Sequence, residues 1–241
     1  MKIEGKNPVK ELLNTDANIS KISILDGNND ADLRLIYKLA REKQIRVEWL
    51  PKPALDRMSE TKHHQGVIAE QSEFEYADLE EVLKKKQAEG KEMFFILLDE
   101  ILDPHNLGSI VRVAECAGLD GVIIPSRRSA EVNETVIRTS AGATAYVPII
   151  KVQNLNKAIE TLKNANVWVY ALDMDGTEMT KTNLKGNLAL VVGNEGDGVH
   201  ALTRKLCDGV VSIPMFGKVN SLNASVSAGI AIYEAIRQRR N

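Results

Sequence analysis

The segment IPMFGKVNSLNASVSAGIAIYEAI, residues 213–236, concentrates small polar side chains where a buried strand gives way to a helix. The polar residues there are Asn220, Ser221, Asn223, Ser225 and Ser227. Such side chains cap helix starts, and the backbone N–H groups of a first helical turn have no partner within the helix. Leu222, among them, can cover an apolar ring. The segment is therefore typical of the lining of a ligand site.

A second segment with polar residues after a buried strand, LLDEILDPHNLGSIVRVAE, spans residues 97–115. The strand leads into an Asp-Pro turn, and Asn106 is placed to cap a helix that begins near Leu107. Arg112 follows within that helix and is flanked by apolar residues. By itself the pattern is equally compatible with an ordinary turn and an arginine that pairs with a neighbouring carboxylate.

A third segment, LALVVGNEGDGV at residues 188–199, runs from an apolar strand into a glycine-rich loop. Its glycines begin at Gly193 and follow the spacing G-x-x-G-x-G, which matches neither the dinucleotide-binding fingerprint nor the P-loop. Glycine lets a ligand approach the main chain closely. The carboxylates of Glu195 and Asp197 favour a neutral or cationic ligand over an anionic one. A hairpin-like turn explains the same pattern equally well.

The elements that position these segments alternate regularly between residues 93 and 214. Nearly all-apolar strand candidates, separated by helical stretches, lie at 93–99, 121–125, 146–150, 167–173, 188–193 and 209–214. This alternation predicts an α/β fold with an open, mostly parallel sheet that helices cover on both faces. Ligands of such sheets bind just beyond the carboxyl ends of the strands, which is where the three segments fall.

The chain divides into three regions by pattern. Residues 1–72 alternate short helical and strand patterns, which predicts a small α/β domain. Residues 73–91 are charged and weakly patterned, which predicts a linker with a surface helix around 77–87. Residues 92–241 hold the regular alternation and the three segments. An apolar fraction of 44% is sufficient for packed cores.

Composition excludes some classes of protein. No stretch approaches the roughly 18 apolar residues of a membrane span, and the amino end lacks the apolar run of a secretory signal. Cys116 and Cys207 form no CxxC pair, which favours reduced thiols and a cytoplasmic location. The four histidines show no metal-ligand spacing, so we expect no metal site. The net charge of −2 by itself indicates no nucleic-acid partner.

The three segments, in this order, resemble the motifs of the SpoU/TrmH branch of the SPOUT methyltransferases. The matching residues are 103–115, 190–199 and 213–234, and each motif falls at a strand-to-helix junction. The layout of the first 70 residues and the sequence HHQGVIA at 63–69 resemble the small substrate-binding domain of ribosomal RNA guanosine 2′-O-methyltransferases.

The resemblance implies a catalytic domain whose carboxyl-terminal segment forms a trefoil knot, preceded by an L30e-like substrate-binding domain. It also implies a homodimer that binds S-adenosylmethionine near the dimer interface. The donor pocket would be formed by Leu172, Gly193, Glu195, Gly196, Ile213, Met215, Ser221 and Leu222. The catalytic group would consist of Asn106, Arg112, Glu195 and Asn223.

The implied reaction is an in-line attack of a ribose 2′-oxygen on the donor methyl group. Family accounts assign the role of general base to the position of Arg112, yet an arginine side chain stays protonated at neutral pH. We therefore expect Arg112 to anchor an RNA phosphate and to stabilise the developing alkoxide. Deprotonation of Arg112 coupled to the phosphate is the alternative. Glu195 would orient Arg112 or Asn106, and Asn223 would fix the loop or the hydroxyl.

The resemblance implies a guanosine of 23S ribosomal RNA in the large subunit as the target. Two alternatives stay open, a transfer RNA substrate and a non-catalytic RNA-binding protein that assists ribosome assembly. An NAD-binding oxidoreductase on a Rossmann sheet is the rival enzyme. The absence of G-x-G-x-x-G after the first strand of the sheet argues against it.

Overall fold

The computed structural model describes residues 2–15, 18–28, 30–71, 74–194, 196–218 and 221–240. Glu195, predicted for both the donor pocket and the catalytic group, lies outside the described residues, as does Asn220. The chain divides into two compact units, Met1–Glu75 and Tyr76–Asn241. We call them the first and the second unit.

The first unit contains a four-stranded sheet of order β1-β4-β2-β3. Its strands are β1 (Lys2–Glu4), β2 (Ile19–Leu25), β3 (Val47–Leu50) and β4 (Val67–Gln71). Strand β4 runs antiparallel to β1 and β2, whereas β2 and β3 are parallel. The helices are α1 (Lys6–Leu13), α2 (Ala31–Glu42) and α3 (Lys52–Met58).

Helix α2 begins where Asp30 caps it, because the carboxylate accepts hydrogen bonds from the backbone N–H groups of Asp32 and Leu33. Its buried residues, at helical spacing, are Leu33, Ile36 and Ala40. They pack with α1 and β2 in a core that includes Val9, Leu13, Ile22 and Ile24. This apolar layer packs α1 and α2 against the sheet.

The second unit is built on a six-stranded sheet of order β10-β8-β9-β5-β6-β7. Its strands are β5 (Phe94–Asp99), β6 (Gly121–Pro125), β7 (Ile149–Val152), β8 (Trp168–Glu178), β9 (Leu188–Gly193) and β10 (Gly209–Ser212). Each pairing between neighbours in this order is parallel. The predicted α/β class with a parallel sheet is confirmed. Every residue of the adjacent central strands β5 and β9 is buried, which explains their uninterrupted apolar sequences.

Three strands have bounds that differ from the prediction by two residues or more. Strand β7 begins at Ile149 because the chain first makes a short 3-10 turn, after which Tyr146 is 79% exposed. Strand β8 continues beyond 173 to Glu178, since its polar end pairs with β10 through Val211 and Thr177. Strand β10 ends at Ser212, two residues before the predicted end.

The helices of the second unit are α4 (Leu79–Glu89), α5 (Pro104–Ala117), α6 (Glu134–Thr139), α7 (Leu155–Asn164), α8 (Ala201–Leu206) and α9 (Ala224–Arg240). Helix α4 occupies most of the segment that the sequence predicts as a linker. It buries Leu79 and Leu83 in the core of the second unit, and Ala77 bridges to Ile150. Segment 76–91 is thus part of the second unit's packing.

The chain adds strands first to one side of β5 in this sheet and then to the other. From β5 it builds β6 and β7 on one side, and it then returns to place β8, β9 and β10 on the other. The reversal lies between β5 and β9, whose carboxyl ends meet where Asp99 pairs with Gly193. In open α/β sheets a crevice forms outside the carboxyl ends of the strands at such a point.

Candidate functional site

A cavity of about 300 Å³ lies beyond the carboxyl ends of β9 and β10 and beside the middle of β8, at the side of the sheet where its order reverses. This volume falls at the lower end of the roughly 300–1,000 Å³ of small-molecule sites. Seven residues predicted for the donor pocket line it: Leu172, Gly193, Gly196, Ile213, Met215, Ser221 and Leu222. The sheet topology therefore brings two of the three sequence segments to one place.

The glycine-rich loop after β9 owes its shape to Asn194. The side-chain Oδ1 of Asn194 accepts hydrogen bonds from the backbone N–H groups of Gly196 at 2.9 Å and Asp197 at 2.8 Å. The backbone N–H of Gly198 donates to the Asn194 carbonyl at 3.1 Å, and Gly198 has a φ of +68°. The described part of the loop makes a tight turn and also lines the cavity.

Gly193 is enclosed by backbone. A Cβ added there would lie 2.0 Å from the carbonyl carbon and oxygen of Gly198 and 2.4 Å from the backbone nitrogen of Val199. Because those atoms belong to the main chain, no side-chain rotation can relieve the clash. Only glycine lets the strand end and the returning loop approach this closely.

The far end of the loop is anchored to the end of β5. The backbone N–H of His200 donates to the Asp99 carboxylate at 2.9 Å, and the His200 ring nitrogen Nδ1 lies 3.2 Å from the same oxygen. Asp99 is buried, and it is the last residue of β5, the strand that pairs with β9. The loop is therefore held at both ends by the sheet.

Asn106 and Asn223 meet across two helix starts. The Asn223 amide Nδ2 donates to Asn106 Oδ1 at 2.9 Å, and Asn106 is buried. Asn223 Oδ1 accepts from the backbone N–H groups of Ser225 at 2.9 Å and Val226 at 3.3 Å, which caps α9. The polar residues before α9 thus cap the helix and connect it to α5.

The prediction that Asn106 caps α5 is wrong. The helix begins at Pro104, and its cap is Asp103, whose carboxylate accepts from the backbone N–H of His105 at 2.8 Å. Proline is favoured in the first turn because its missing N–H would have no partner there. Asn106 consequently lies inside the helix and turns its amide towards Asn223.

The predicted catalytic residues are brought together in part. Asn106 and Asn223 are hydrogen-bonded. Arg112 is exposed on α5, about 9 Å further along the helix axis than Asn106 at the usual rise per residue. The guanidinium is therefore open to a ligand that approaches from solvent.

Asp173 is a cavity residue that the motifs did not reveal. Its carboxylate accepts a hydrogen bond from the Met174 backbone N–H at 2.7 Å and one from Arg204 at 3.3 Å. Arg204 also donates to Asp175 at 2.7 Å, and this hydrogen bond lowers the pKa of the Asp175 carboxyl, against the effect of burial. The sequence contains a signal for this residue, because Asp173 is the last residue of the predicted strand 167–173. Ligand sites of parallel sheets lie at the carboxyl ends of the strands.

The charged residues among the described cavity lining are Asp173 and Asp197, both acidic. The apolar part of the lining includes Leu172, Ile213 and Leu222. Such a lining suits a ligand that combines an apolar ring with positive charge.

Neither cysteine is placed for nucleophilic or metal chemistry in this cavity. Both are free, and burial raises the pKa of the Cys207 thiol to about 12, so the thiol is protonated at neutral pH. Within the described ranges, no three His, Cys, Asp or Glu residues are grouped to hold a metal ion. In the same part of the chain, none of the helices combines the length and apolarity needed to cross a membrane.

Two family models together match most of the sequence. Residues 93–233 match the SpoU rRNA Methylase family, and residues 2–77 match a model described as RNA 2′-O ribose methyltransferase substrate binding. The chain belongs to the SpoU rRNA methylase family. This confirms the resemblance that the three sequence segments indicated.

Relatives and solved structures agree with this assignment. The chain is 39% identical to YacO of Bacillus subtilis, of the TrmH family of tRNA/rRNA methyltransferases, over 98% of this chain and 94% of YacO. It resembles the structure of an AdoMet-bound rRNA methyltransferase from Sinorhizobium meliloti with a TM-score of 0.64 and 22% identity, covering 98% of this chain and 86% of that one. A TrmH/SpoU tRNA modifying enzyme from A. aeolicus aligns with 67% of this chain and 84% of its own, with a TM-score of 0.57 and 28% identity.

Proposed function

We propose that this protein transfers a methyl group from S-adenosylmethionine to the ribose 2′-oxygen of a guanosine in large-subunit ribosomal RNA. The observation that carries the proposal is the acidic and apolar cavity at the sheet's switch point, with the linked Asn106 and Asn223 beside its lining. The family to which the chain belongs supports the reaction class. The amino-terminal match to a substrate-binding model supports ribosomal over transfer RNA, since the A. aeolicus tRNA enzyme aligns with only 67% of this chain.

The cavity fits the proposed donor by its chemistry. Bound S-adenosylmethionine supplies a methyl group on a positively charged sulfur. Asp173 and Asp197 place negative charge in the lining, and Leu172, Ile213 and Leu222 offer apolar surface to a ring. Gly196 and Gly198 of the loop after Gly193 also line the cavity, where the lack of a side chain lets a ligand approach the main chain.

The residues beside the cavity would position the RNA hydroxyl. Arg112 would bind an RNA phosphate through two parallel N–H groups and stabilise negative charge on the attacking oxygen. Asn106, held by Asn223, would orient the hydroxyl relative to the donor. Glu195 retains its proposed role of orienting Arg112 or Asn106.

Replacing Asp173 by Asn should weaken binding of S-adenosylmethionine about tenfold, because the lining loses a negative charge that attracts the sulfonium. The neutral-sulfur product S-adenosylhomocysteine should be affected less. Calorimetry of both ligands measures this difference. The matched control is Asp175→Asn, which removes the same charge. Asp175 is the other carboxylate that pairs with Arg204, but it is exposed and lies outside the cavity lining. Equal losses for the two ligands would contradict selection by charge.

Mapping of 2′-O-methyl groups in RNA from cells with and without this protein tests the function as a whole. We expect one guanosine of large-subunit ribosomal RNA to lose its methyl group when the protein is absent. If the methylation of ribosomal RNA is unchanged and that of transfer RNA changes, transfer RNA is the substrate. Binding of NAD without binding of S-adenosylmethionine would overturn the reaction class.

We also propose that the segment from 213 onwards passes through a loop of the second unit to form a trefoil knot, and that the first unit is L30e-like. The membership of the chain in the SpoU family supports the knot. Stretching single molecules tests it, since a knotted chain extends less than its contour length.

We propose that the protein forms a homodimer through an exposed apolar stripe on α9. Val226, Ile230 and Tyr233 follow at helical spacing and are 48%, 41% and 50% exposed. Ile230→Glu should convert the dimer to a monomer in sedimentation equilibrium, because a second copy would bury the new charge. Leu202→Glu, at an exposed leucine of α8, is the control and should leave the mass unchanged. A monomeric parent protein would refute the proposal.

A further inference from the structure

Trp49 occupies an unusual place for a large aromatic side chain. It lies on β3, the edge strand of the first sheet, opposite Ile24 of β2. Ile24 is buried in the core beneath the helices, and paired residues of neighbouring strands point to the same face. Trp49 is therefore on the face of the sheet that α1 and α2 cover. Because β3 is at the edge, the Trp49 side chain reaches past the helix and stays 44% exposed.

Tyr37 shows which flank of α2 faces this edge. The rings of Tyr37 and Trp49 have centroids 5.3 Å apart and planes inclined by 49°. Tyr37 is 37% exposed. The two rings thus form a continuous aromatic surface that is open to solvent on the β3 side of α2.

The same flank of α2 is basic. At about 100° per residue, the side chains that follow Tyr37 around the helix, away from the buried stripe, are Arg41, Arg34 and Lys38. All three are exposed. Asp32 lies on the opposite flank, where it pairs with Lys10 of α1 at 3.0 Å. We call Arg34, Tyr37, Lys38, Arg41 and Trp49 the α2–β3 surface.

The carboxylates described beside Lys38 and Trp49 counter the charge of Lys38 and Arg41 only weakly. Glu42 pairs with Lys38 at 3.9 Å, with both side chains largely exposed, and such a pair is weak and easily exchanged. Glu48 precedes Trp49 but points to the opposite face of the sheet, where it binds Lys21 at 2.9 Å and Ser23 at 2.8 Å. The whole chain has a net charge of −2, so this positive flank is a local feature.

We propose that the α2–β3 surface binds an unpaired stretch of RNA, with a base stacked on Trp49 or Tyr37 and phosphates at the neighbouring cations. Exposed aromatic rings beside arginine and lysine are the chemistry by which proteins hold single-stranded RNA. A protein partner could use the rings, but three cations on one flank select a polyanion. The inference rests on the proposed RNA substrate and assigns it a contact surface on the first unit.

Fluorescence of the full chain tests the stacking. The chain has two tryptophans, Trp49 and Trp168, so Trp168→Phe leaves Trp49 as the reporter. Titration with a mixed-sequence single-stranded RNA should quench Trp49, whereas the Trp49→Phe protein should show no quenching from Trp168. Trp49→Ala should weaken binding of the same RNA about tenfold in anisotropy measurements.

Salt dependence tests the charges. The double variant Lys38→Glu, Arg41→Glu should bind the RNA more weakly and with a shallower salt dependence, because each lost phosphate contact removes about 0.7 from the slope for single strands. The control is Lys84→Glu, Lys85→Glu, which makes the same charge change on exposed positions of α4. It should keep the parent slope.

The outcomes separate the two proposals. One outcome overturns the inference: the parent protein binds S-adenosylmethionine and RNA, but RNA does not quench Trp49 and both double variants bind RNA alike. The α2–β3 surface is then not an RNA site and serves another partner, such as a protein. If the parent protein binds no RNA and methylates none, the proposed function itself fails. Quenching with loss of affinity confined to the α2–β3 variants supports the inference.

Discussion

Replacement of Arg112 by alanine is expected to slow methyl transfer to RNA by about two to three orders of magnitude, the loss found when one transition-state charge contact is removed. Arg112 is exposed on α5, outside the cavity lining, so affinity for S-adenosylmethionine should not change. Single-turnover transfer at saturating donor, together with calorimetry of donor binding, separates the two quantities. A parallel loss of donor affinity would mean that Arg112 acts on the cavity rather than on RNA.

The lysine variant distinguishes the roles proposed for this side chain. Lysine keeps the positive charge but cannot form two parallel N–H bonds to a phosphate, so Arg112→Lys should retain only a small part of the activity. Arg240→Ala, at an exposed arginine near the end of α9, is the control and should transfer methyl groups at the parent rate. Near-full activity of Arg112→Lys would exclude bidentate anchoring.

Gly193→Ala is expected to lower the free energy of unfolding by about 3 kcal/mol, at the upper end of the usual cost of overpacking. The new Cβ would lie 2.0 Å from backbone atoms of Gly198, which belong to a loop held at both ends by the sheet. Urea unfolding measures the change. Any folded protein should also bind donor poorly, because relief of the clash requires movement of the cavity wall.

Gly196→Ala is the matched control for this prediction. It adds the same methyl group to the same loop, but its Cβ would meet only the side-chain oxygen of Asn194 at 3.5 Å, an ordinary contact. Its stability should stay close to that of the parent protein. If both variants unfold at the same urea concentration as the parent, the close approach at Gly193 does not constrain the fold.

Strand positions were predictable from sequence because the central strands are buried on both faces and must be apolar throughout. The cap of α5 was not predictable, because Asp103, Pro104 and Asn106 all favour helix starts. Only the packed structure decides among them. Helix α4 has weak periodicity, so the burial of Leu79 and Leu83 depends on contacts with distant residues that local sequence does not encode.

The candidate site, too, could be predicted only in part from the sequence. The spacing of the glycines and short polar residues is equally compatible with ordinary turns, so the family resemblance was needed to predict that seven of the described residues line one cavity. Asp173 ends a predicted apolar strand as many other aspartates do, and its place in the cavity depends on the order of the sheet. The contact between Tyr37 and Trp49 joins two elements and leaves no local pattern.

The hydrogen bond between Asn223 and Asn106 has a thermodynamic consequence. Ser221 and Leu222 line the cavity, and the next residue along the chain is bonded to α5, the helix that carries Arg112. A small molecule that orders the first two residues also restrains the third and, through it, the start of α5. Under the proposed function, binding of the donor in the cavity should therefore be coupled to binding of RNA at Arg112. Because such linkage is reciprocal, each substrate should raise the affinity for its companion by the same factor.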